Sequence, residues 1–416
     1  MSMNLKLLLI SMMPPWPPVN GGYQRTNLLY RALSKCGSVD IALISSPGFV
    51  PHEYVEYAKQ NFSLVGSIQW PHLSSRWPVP MRLFPRSMKD RIRPLIERNR
   101  LKYQVYPPAQ SWIKKHLAEH NYDVVIGRYL LPVCKVGAFK QAPLIVDVDD
   151  IDFRIHETLS ETPGLLRIER FLLNISRQQI KDIVRDKLKY CDHLWLTSEK
   201  DTAQISLPNT TVLPNIPFVV ENTSLAPDCP PQSNNMIILV VADLGYGPNR
   251  YGVIRFLNEV WPKVVRTVPG VALRIVGKIH PKDKRAWSRI NRVEPLGFVE
   301  DLRRVYDESA FTVAPVFFGG GTKIKVVESL AYGRTCVVTP HAHYGYENTL
   351  RHGESVLRAE SPSEMARTCI QLLREPKLTK SLAEHGYQIV RNHYSFELFE
   401  QVVSNTIEQV MNKANA

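Results

Sequence analysis

Gly319, Gly320, Gly321, Thr322, Lys323, Lys325 and Glu328 fall within ten residues of one another, and together they could do chemistry. Successive glycines leave backbone N–H groups uncovered by side chains, and such a turn ahead of a helix can hold an anion. The Thr322 hydroxyl can cap that helix. Lys323 and Lys325 place positive charge in its first turn, where the helix dipole disfavours it, so helix stability alone does not account for them. Glu328 follows Lys325 at i+3 and can face the same opening. An anion seat, two cations and a carboxylate suit a phosphorylated ligand that also carries hydroxyl groups. A glycine run of this kind also serves as a plain tight loop with solvated lysines, so the surrounding chain has to decide.

A second set lies nearer the start. Gly21 and Gly22 would let a ligand approach the backbone closely, and Arg25 one turn later points toward the same opening. Asp149, Asp150 and Asp152 follow an expected strand at 144–148, the kind of strand end beyond which ligands bind in open parallel sheets. Clustered aspartates could bind magnesium, cap a helix or touch a substrate. No further ligand for a metal is identifiable, so no metal site is expected. The dinucleotide signature GxGxxG is absent, which argues against a nicotinamide enzyme.

These residues need strands that end beside helix starts. The run at 5–11 is continuously apolar, as in a central parallel strand buried on both faces. Further strands are expected at 39–45, 122–126, 144–148 and 193–197, with helices over 23–34 and 165–190; 47–80 reads as irregular. Residues 221–235, ENTSLAPDCPPQSNN, are poor in apolar side chains and read as a linker. A second alternating half follows, with strands expected at 237–242, 272–276, 293–296, 310–316, 335–339 and 355–357. Its helices are expected over 251–267, 322–332 and 362–373. The fold class is therefore α/β, with two doubly wound Rossmann-like domains facing across a cleft. The expected boundaries are 1–220 for the N-terminal domain, 221–235 for the linker and 236–392 for the C-terminal domain. The stretch 393–416 would form a helix that packs back on the first domain.

The 416-residue chain can support two cores. At 44% hydrophobic and 22% charged it is globular in composition, and no run reaches the roughly 18 apolar residues of a membrane span. Six dispersed cysteines without a CxxC pair point to reduced thiols and a cytoplasmic location. The net charge of +13 favours an anionic partner. Between Arg76 and Lys115 there are eleven Lys or Arg and two acids. The apolar residues interleaved there suit docking at the inner face of an anionic membrane, though a solvated helical face reads the same way. No nucleic-acid partner is expected, since no helix-turn-helix, zinc-finger or RNA-stacking signature occurs.

With these residues placed, the chain resembles the retaining, nucleotide-sugar-dependent glycosyltransferases of GT-B architecture in glycosyltransferase family 4. The likeness is carried by PPWPPVNGGYQRTNLLYRAL, LIVDVDD, LPN, ADLGYGPNRYGVIRF, LRIVG, LGFVEDL and GGGTKIKVVESLAYGRTCVVTP, in that order. The resemblance implies that Glu328 binds the ribose hydroxyls of a UDP- or GDP-linked donor. It also implies that Phe298 and Val299 meet the base and that the Gly21–Gly22 turn lies against the diphosphate. Asp149 would lie near the transferred sugar. The acceptor would be a glycan or a lipid-linked molecule, as in cell-envelope polysaccharide or glycolipid synthesis.

Two departures stand out. Many relatives carry a glutamate where this chain has Gly320, which leaves contact with the donor sugar to the backbone of Gly319–Thr322 or to another side chain. Many also carry an Arg and a Lys where Asp243 and Pro248 stand here. Lys325 and Lys323, with Arg250, are the expected substitutes; Asn249 is a further donor-binding residue, and Arg25 adds charge from the first domain. Lys325, Lys323, Glu328 and Asp149 are thus the expected catalytic set. A sugar-nucleotide epimerase shares this architecture but would need a flanking acid–base pair. A non-catalytic sugar-nucleotide-binding assembly subunit is the third reading, kept open by Gly320.

Overall fold

Leu7, Leu8, Leu9 and Ile10 are wholly buried, so the first strand, β1 (Leu5–Ser11), has protein on both faces and sits mid-sheet. The computed structural model describes residues 4–71, 102–137, 142–149, 151–160, 166–219 and 228–414. The membrane-docking expectation falls outside the described residues from 76 to 101, as does Asp150. The described end of that stretch belongs to a helix, Pro107–Glu119, that buries Ala109 and Ile113.

The chain divides into two compact units, Met1–Pro214 with Phe399–Ala416, and Asn215–Leu398. In the first unit β1 is joined by β2 (Gly37–Ser45), β3 (Ser63–Gln69), β4 (Val124–Arg128), β5 (Leu144–Asp147), β6 (His193–Leu196) and β7 (Thr210–Val212). All seven strands are parallel, in the order β3-β2-β1-β4-β5-β6-β7. The strand order reverses between β1 and β4, and an α/β sheet opens a ligand crevice at such a point. Within this unit the Trp195 indole donates to Thr406 Oγ1 at 3.1 Å, tying the last helix, Phe396–Ala414, to β6.

In the second unit β8 (Ile237–Val241), β9 (Ala272–Val276), β10 (Val293–Gly297), β11 (Phe311–Ala314), β12 (Cys336–Val338) and β13 (Val356–Arg358) follow. They form a parallel sheet in the order β10-β9-β8-β11-β12-β13. Its reversal point lies between β8 and β11, whose ends lead to 242–249 and to the glycine run. Residues 228–235 fold onto this unit and do not stand clear as a spacer. Gln232 Nε2 donates to the Gly333 carbonyl at 2.7 Å, and Ser233 Oγ to that of Glu308 at 3.0 Å.

Several elements differ from the sequence expectation. The region read as irregular holds a helix, His52–Asn61, and β3. β3 is an edge strand, so it is half exposed and lacks a strong apolar pattern. The helix expected over 251–267 begins at Gly247 and widens into a π-turn at Phe256–Val260 before Trp261–Thr267. Pro262 explains the widening: it has no N–H to donate, and its ring crowds the carbonyl four residues back.

Candidate functional site

The turn after β11 is built around two left-handed glycines, Gly319 (φ 124°) and Gly321 (φ 60°). A side chain is disfavoured at both, and a Cβ on Gly319 would also press on the Tyr246 hydroxyl at 3.2 Å. Lys323 then folds back. Its ammonium donates to the Gly320 carbonyl at 2.5 Å and also to the Gly321 carbonyl. In a planar trans peptide the N–H points opposite to the C=O. The N–H groups of Gly321 and Thr322 are therefore turned away from the lysine, and among the described residues neither has a protein acceptor. Lys323 thus braces the seat, where the sequence reading made it a cation for the ligand.

Thr322 does not cap the following helix. That helix, Ile324–Ala331, starts two residues later than the expected position and has no side-chain cap. The Thr322 hydroxyl instead accepts from Asn215 Nδ2 at 3.0 Å. Lys325, in the first turn, donates to Asn249 Oδ1 at 2.6 Å. Asn249 Nδ2 in turn donates to the Asp243 carbonyl at 2.9 Å. Burial, followed by repulsion from Lys323, lowers the Lys325 pKa to about 8, against attraction from Glu328 and Asp243.

Glu328 is buried, and its Oε1 accepts from the Tyr306 hydroxyl at 2.9 Å. Burial raises its pKa, opposed by the Tyr306 hydrogen bond and by Lys325. Its Oε2 has no protein donor among the described residues. The Tyr306 ring stacks on Tyr332 with centroids 4.2 Å apart. Val299 packs into the cluster that holds Tyr306 and Tyr332, whereas its neighbour Phe298 is 77% exposed. An anchored valine thus carries an exposed aromatic ring at the end of β10. Arg250 does not join the lysines: its guanidinium is engaged by Asp283, Nε to Oδ2 at 2.6 Å and Nη2 to Oδ1 at 2.8 Å.

The first unit gathers a different set. Asn20 Oδ1 accepts from the N–H groups of Gly22 (3.1 Å) and Tyr23 (3.3 Å), so at the start of helix Gly21–Cys36 these donors are already capped. Arg25 does not face an opening. It is 1% exposed and grips Asp147 through Nε (2.9 Å) and Nη2 (2.7 Å). It also donates to the carbonyls of Leu213 (3.0 Å) and Pro214 (3.1 Å). Asp147 continues to Arg128 at 3.4 Å, and Arg128 Nη2 to Asp149 Oδ2 at 2.7 Å. Two basic and two acidic groups therefore alternate in one buried chain.

Asp149, at the end of that chain, has φ 47°. Tyr129, after β4, has φ 70° and ψ 149°, a region that side chains other than glycine avoid. Its ring lies 3.8 Å from the Arg128 guanidinium. Strained residues at adjacent strand ends recur at ligand sites. Arg128, Tyr129 and Asp147 were missed from sequence, as was Tyr306. A charged residue closing an otherwise apolar strand was the available signal for Arg128 and Asp147. Among the described residues no group of three or more His, Cys, Asp or Glu could hold a metal, and no helix is long and apolar enough to cross a membrane.

Residues 235–375, which include the glycine turn, match the sequence model of the family described as "Glycosyl transferases group 1". A Klebsiella pneumoniae protein described as an uncharacterized 44.6 kDa protein in the cps region is 26% identical over 171 residues. That match spans 39% of this chain and less than half of the relative, 43%. Among solved structures, Anabaena HepE in complex with UDP is similar with a TM-score of 0.64 at 13% identity, over 97% of this chain and 100% of that one. The same protein was solved with UDP-glucose, at a TM-score of 0.61 and 13% identity, over 98% of this chain and 100% of that one. Sucrose-phosphate synthase from Thermosynechococcus elongatus gives 0.69 at 14% identity, over 99% and 100%. The fold is that of GT-B glycosyltransferases, with two Rossmann-like units, each around a parallel sheet.

Proposed function

We propose that this chain is a glycosyltransferase that moves a sugar from a nucleotide-sugar donor, UDP- or GDP-linked, to a glycan or lipid-linked acceptor with retention of anomeric configuration. The observation that carries the reading is the turn at Gly319–Thr322. Its Gly321 and Thr322 N–H groups have no protein acceptor among the described residues, and Lys325 follows three residues later, inside the segment that matches the group 1 family. The similarity of the fold to HepE bound to UDP and UDP-glucose supports a uridine nucleotide as the first ligand to try. The Klebsiella relative in the cps region supports a role in polysaccharide synthesis, which would place the chain in the cytoplasm.

In this reading the bond between the anomeric carbon and the diphosphate oxygen breaks, and negative charge grows on that oxygen. Preorganised donors lower the barrier most where charge develops. The Gly321 and Thr322 N–H groups and the Lys325 ammonium would supply that field. The acceptor oxygen bonds to the anomeric carbon from the face the phosphate leaves, and the departing phosphate takes the acceptor proton, so atoms and charge balance without a separate base. Glu328 Oε2 would accept from the ribose hydroxyls, Phe298 would cover the base, and Asp149 would address the transferred sugar.

The test is to incubate the protein with a panel of UDP- and GDP-sugars and follow products and heat. Slow release of UDP or GDP supports transfer. Epimerised donor would replace the reading with an epimerase, and binding without turnover would make the chain a sugar-nucleotide-binding subunit. Absence of binding to every member would end the donor reading.

A further inference from the structure

We propose that Asn249 is a positioning residue that holds the Lys325 ammonium at the diphosphate seat without neutralising it. This rests on the donor reading above and gives Asn249 a different task from direct contact with the donor.

A lysine has a flexible four-carbon stem and a compact charge, so in a ligand-free site its ammonium needs an anchor. Here the anchor is a neutral carbonyl oxygen, Asn249 Oδ1, at 2.6 Å. The amide cannot turn over. In its present orientation Nδ2 donates to the Asp243 carbonyl at 2.9 Å. The flipped amide would set NH2 against an ammonium and oxygen against a carbonyl, losing both hydrogen bonds. The anchor is also fixed in space. Asn249 lies in the first turn of helix Gly247–Arg255, and three residues on, a Cβ added to Gly252 would lie 1.6 Å from the Pro315 carbonyl. Helix backbone thus lies directly on the segment leading from β11 into the glycine turn. Asn249, Lys325 and the turn share one rigid frame.

The chemistry of the anchor matters as much as its place. A carboxylate there would pair with Lys325 and compete with the ligand's phosphates. An amide accepts one hydrogen bond and leaves the positive charge unmatched. The charged or titratable groups that face Lys325 are Lys323, Glu328, Cys336 and Asp243. Cys336 stays a thiol, because burial pushes its pKa up to about 12. Changing Asn249 leaves Lys323, Glu328 and Cys336 in place but also frees the Asp243 carbonyl from Nδ2, so Asn249→Ala and Asn249→Asp, which both lose that bond and differ in charge, are compared with each other.

The experiment compares wild type, Asn249→Ala and Asn249→Asp in two measurements. The first titrates the Lys325 ammonium by NMR of protein carrying 13C-labelled lysine, without ligand, with the signal assigned by its loss in Lys325→Met. Asn249→Ala should lower the proton affinity of Lys325 about tenfold, one pH unit, as one charge-assisted hydrogen bond requires. Asn249→Asp, close to isosteric, should raise it. The second measures UDP binding by calorimetry at pH 7. Both variants should bind more weakly, Asn249→Asp despite a fully protonated lysine. Identical titration midpoints in all three proteins, or tight UDP binding by Asn249→Asp, would overturn the proposal. Failure of wild type to bind UDP would instead strike the donor reading, and the ligand-free titration would still report whether Asn249 sets the ammonium.

Discussion

The Lys323 ammonium is folded back onto the Gly320 carbonyl, while Lys325, two residues on, reaches Asn249. The two lysines therefore do different work, and Lys323→Met should separate them. Without the brace the glycine turn is free to rotate its peptides, and nucleotide diphosphate affinity should fall about tenfold, the scale of one charge-assisted hydrogen bond. Lys323 also repels Lys325. Its removal should thus move the Lys325 midpoint up while binding weakens. Calorimetry with UDP alongside the lysine titration checks this, and a midpoint that falls with affinity would contradict it.

Binding of UDP should depend on pH through Lys325, whose pKa of about 8 lies below the usual lysine value. The sign follows from linkage: an anion binds the protonated form, so the bound state holds the proton more tightly. Affinity should be flat only over about pH 7 to 7.5, above the last ionisation of the UDP phosphate at about pH 6. Above about 8 it should fall by up to tenfold per unit, until the pKa of the complex is reached. Heats measured in buffers of different ionisation enthalpy should show proton uptake on binding near pH 8. No uptake there would remove the Lys325 ammonium from the diphosphate contact.

Glu328 offers one oxygen to Tyr306 and keeps the other. If Oε2 serves the ribose, Glu328→Ala should bring UDP and a 2′,3′-dideoxy analogue to nearly equal affinity. Wild type should prefer UDP by about tenfold or more, since hydrogen bonds to a charged group are each worth roughly 1.5–3 kcal/mol. Tyr306→Phe should keep the preference but reduce it, because its hydroxyl fixes the carboxylate. Competition binding with the two nucleotides gives both ratios.

The sequence revealed those parts of the fold and site that periodicity and glycine mark. The apolar run at Leu5–Ser11 declared a central strand, that at Ile237–Val241 a strand, and Gly319–Gly321 declared the turn. What stayed hidden has physical causes. β3 lies at an edge and carries no strong apolar pattern, and the π-turn at Phe256–Val260 depends on one proline. Side-chain commitments were the largest gap. Lys323, Arg25 and Arg250 all read as cations facing a ligand, yet each is spent on protein oxygens. Spacing places a charge near a site but does not say which oxygen it meets first.

Arg25 makes that last point measurable. It bridges Asp147 and the carbonyls of Leu213 and Pro214 from full burial. Replacing it by methionine leaves Asp147 with Arg128 alone, at 3.4 Å, and two carbonyls without their donor. Removing one partner of a buried ion pair costs about 3–5 kcal/mol, a large share of the stability of a domain. Arg25→Met should therefore lower the urea midpoint of the first unit sharply, read from hydrogen exchange of the buried β5 and β6 amides. UDP affinity at low denaturant should stay near wild type, because the proposed seat lies wholly in the second unit. A variant that keeps its midpoint but loses UDP binding would return Arg25 to the donor site.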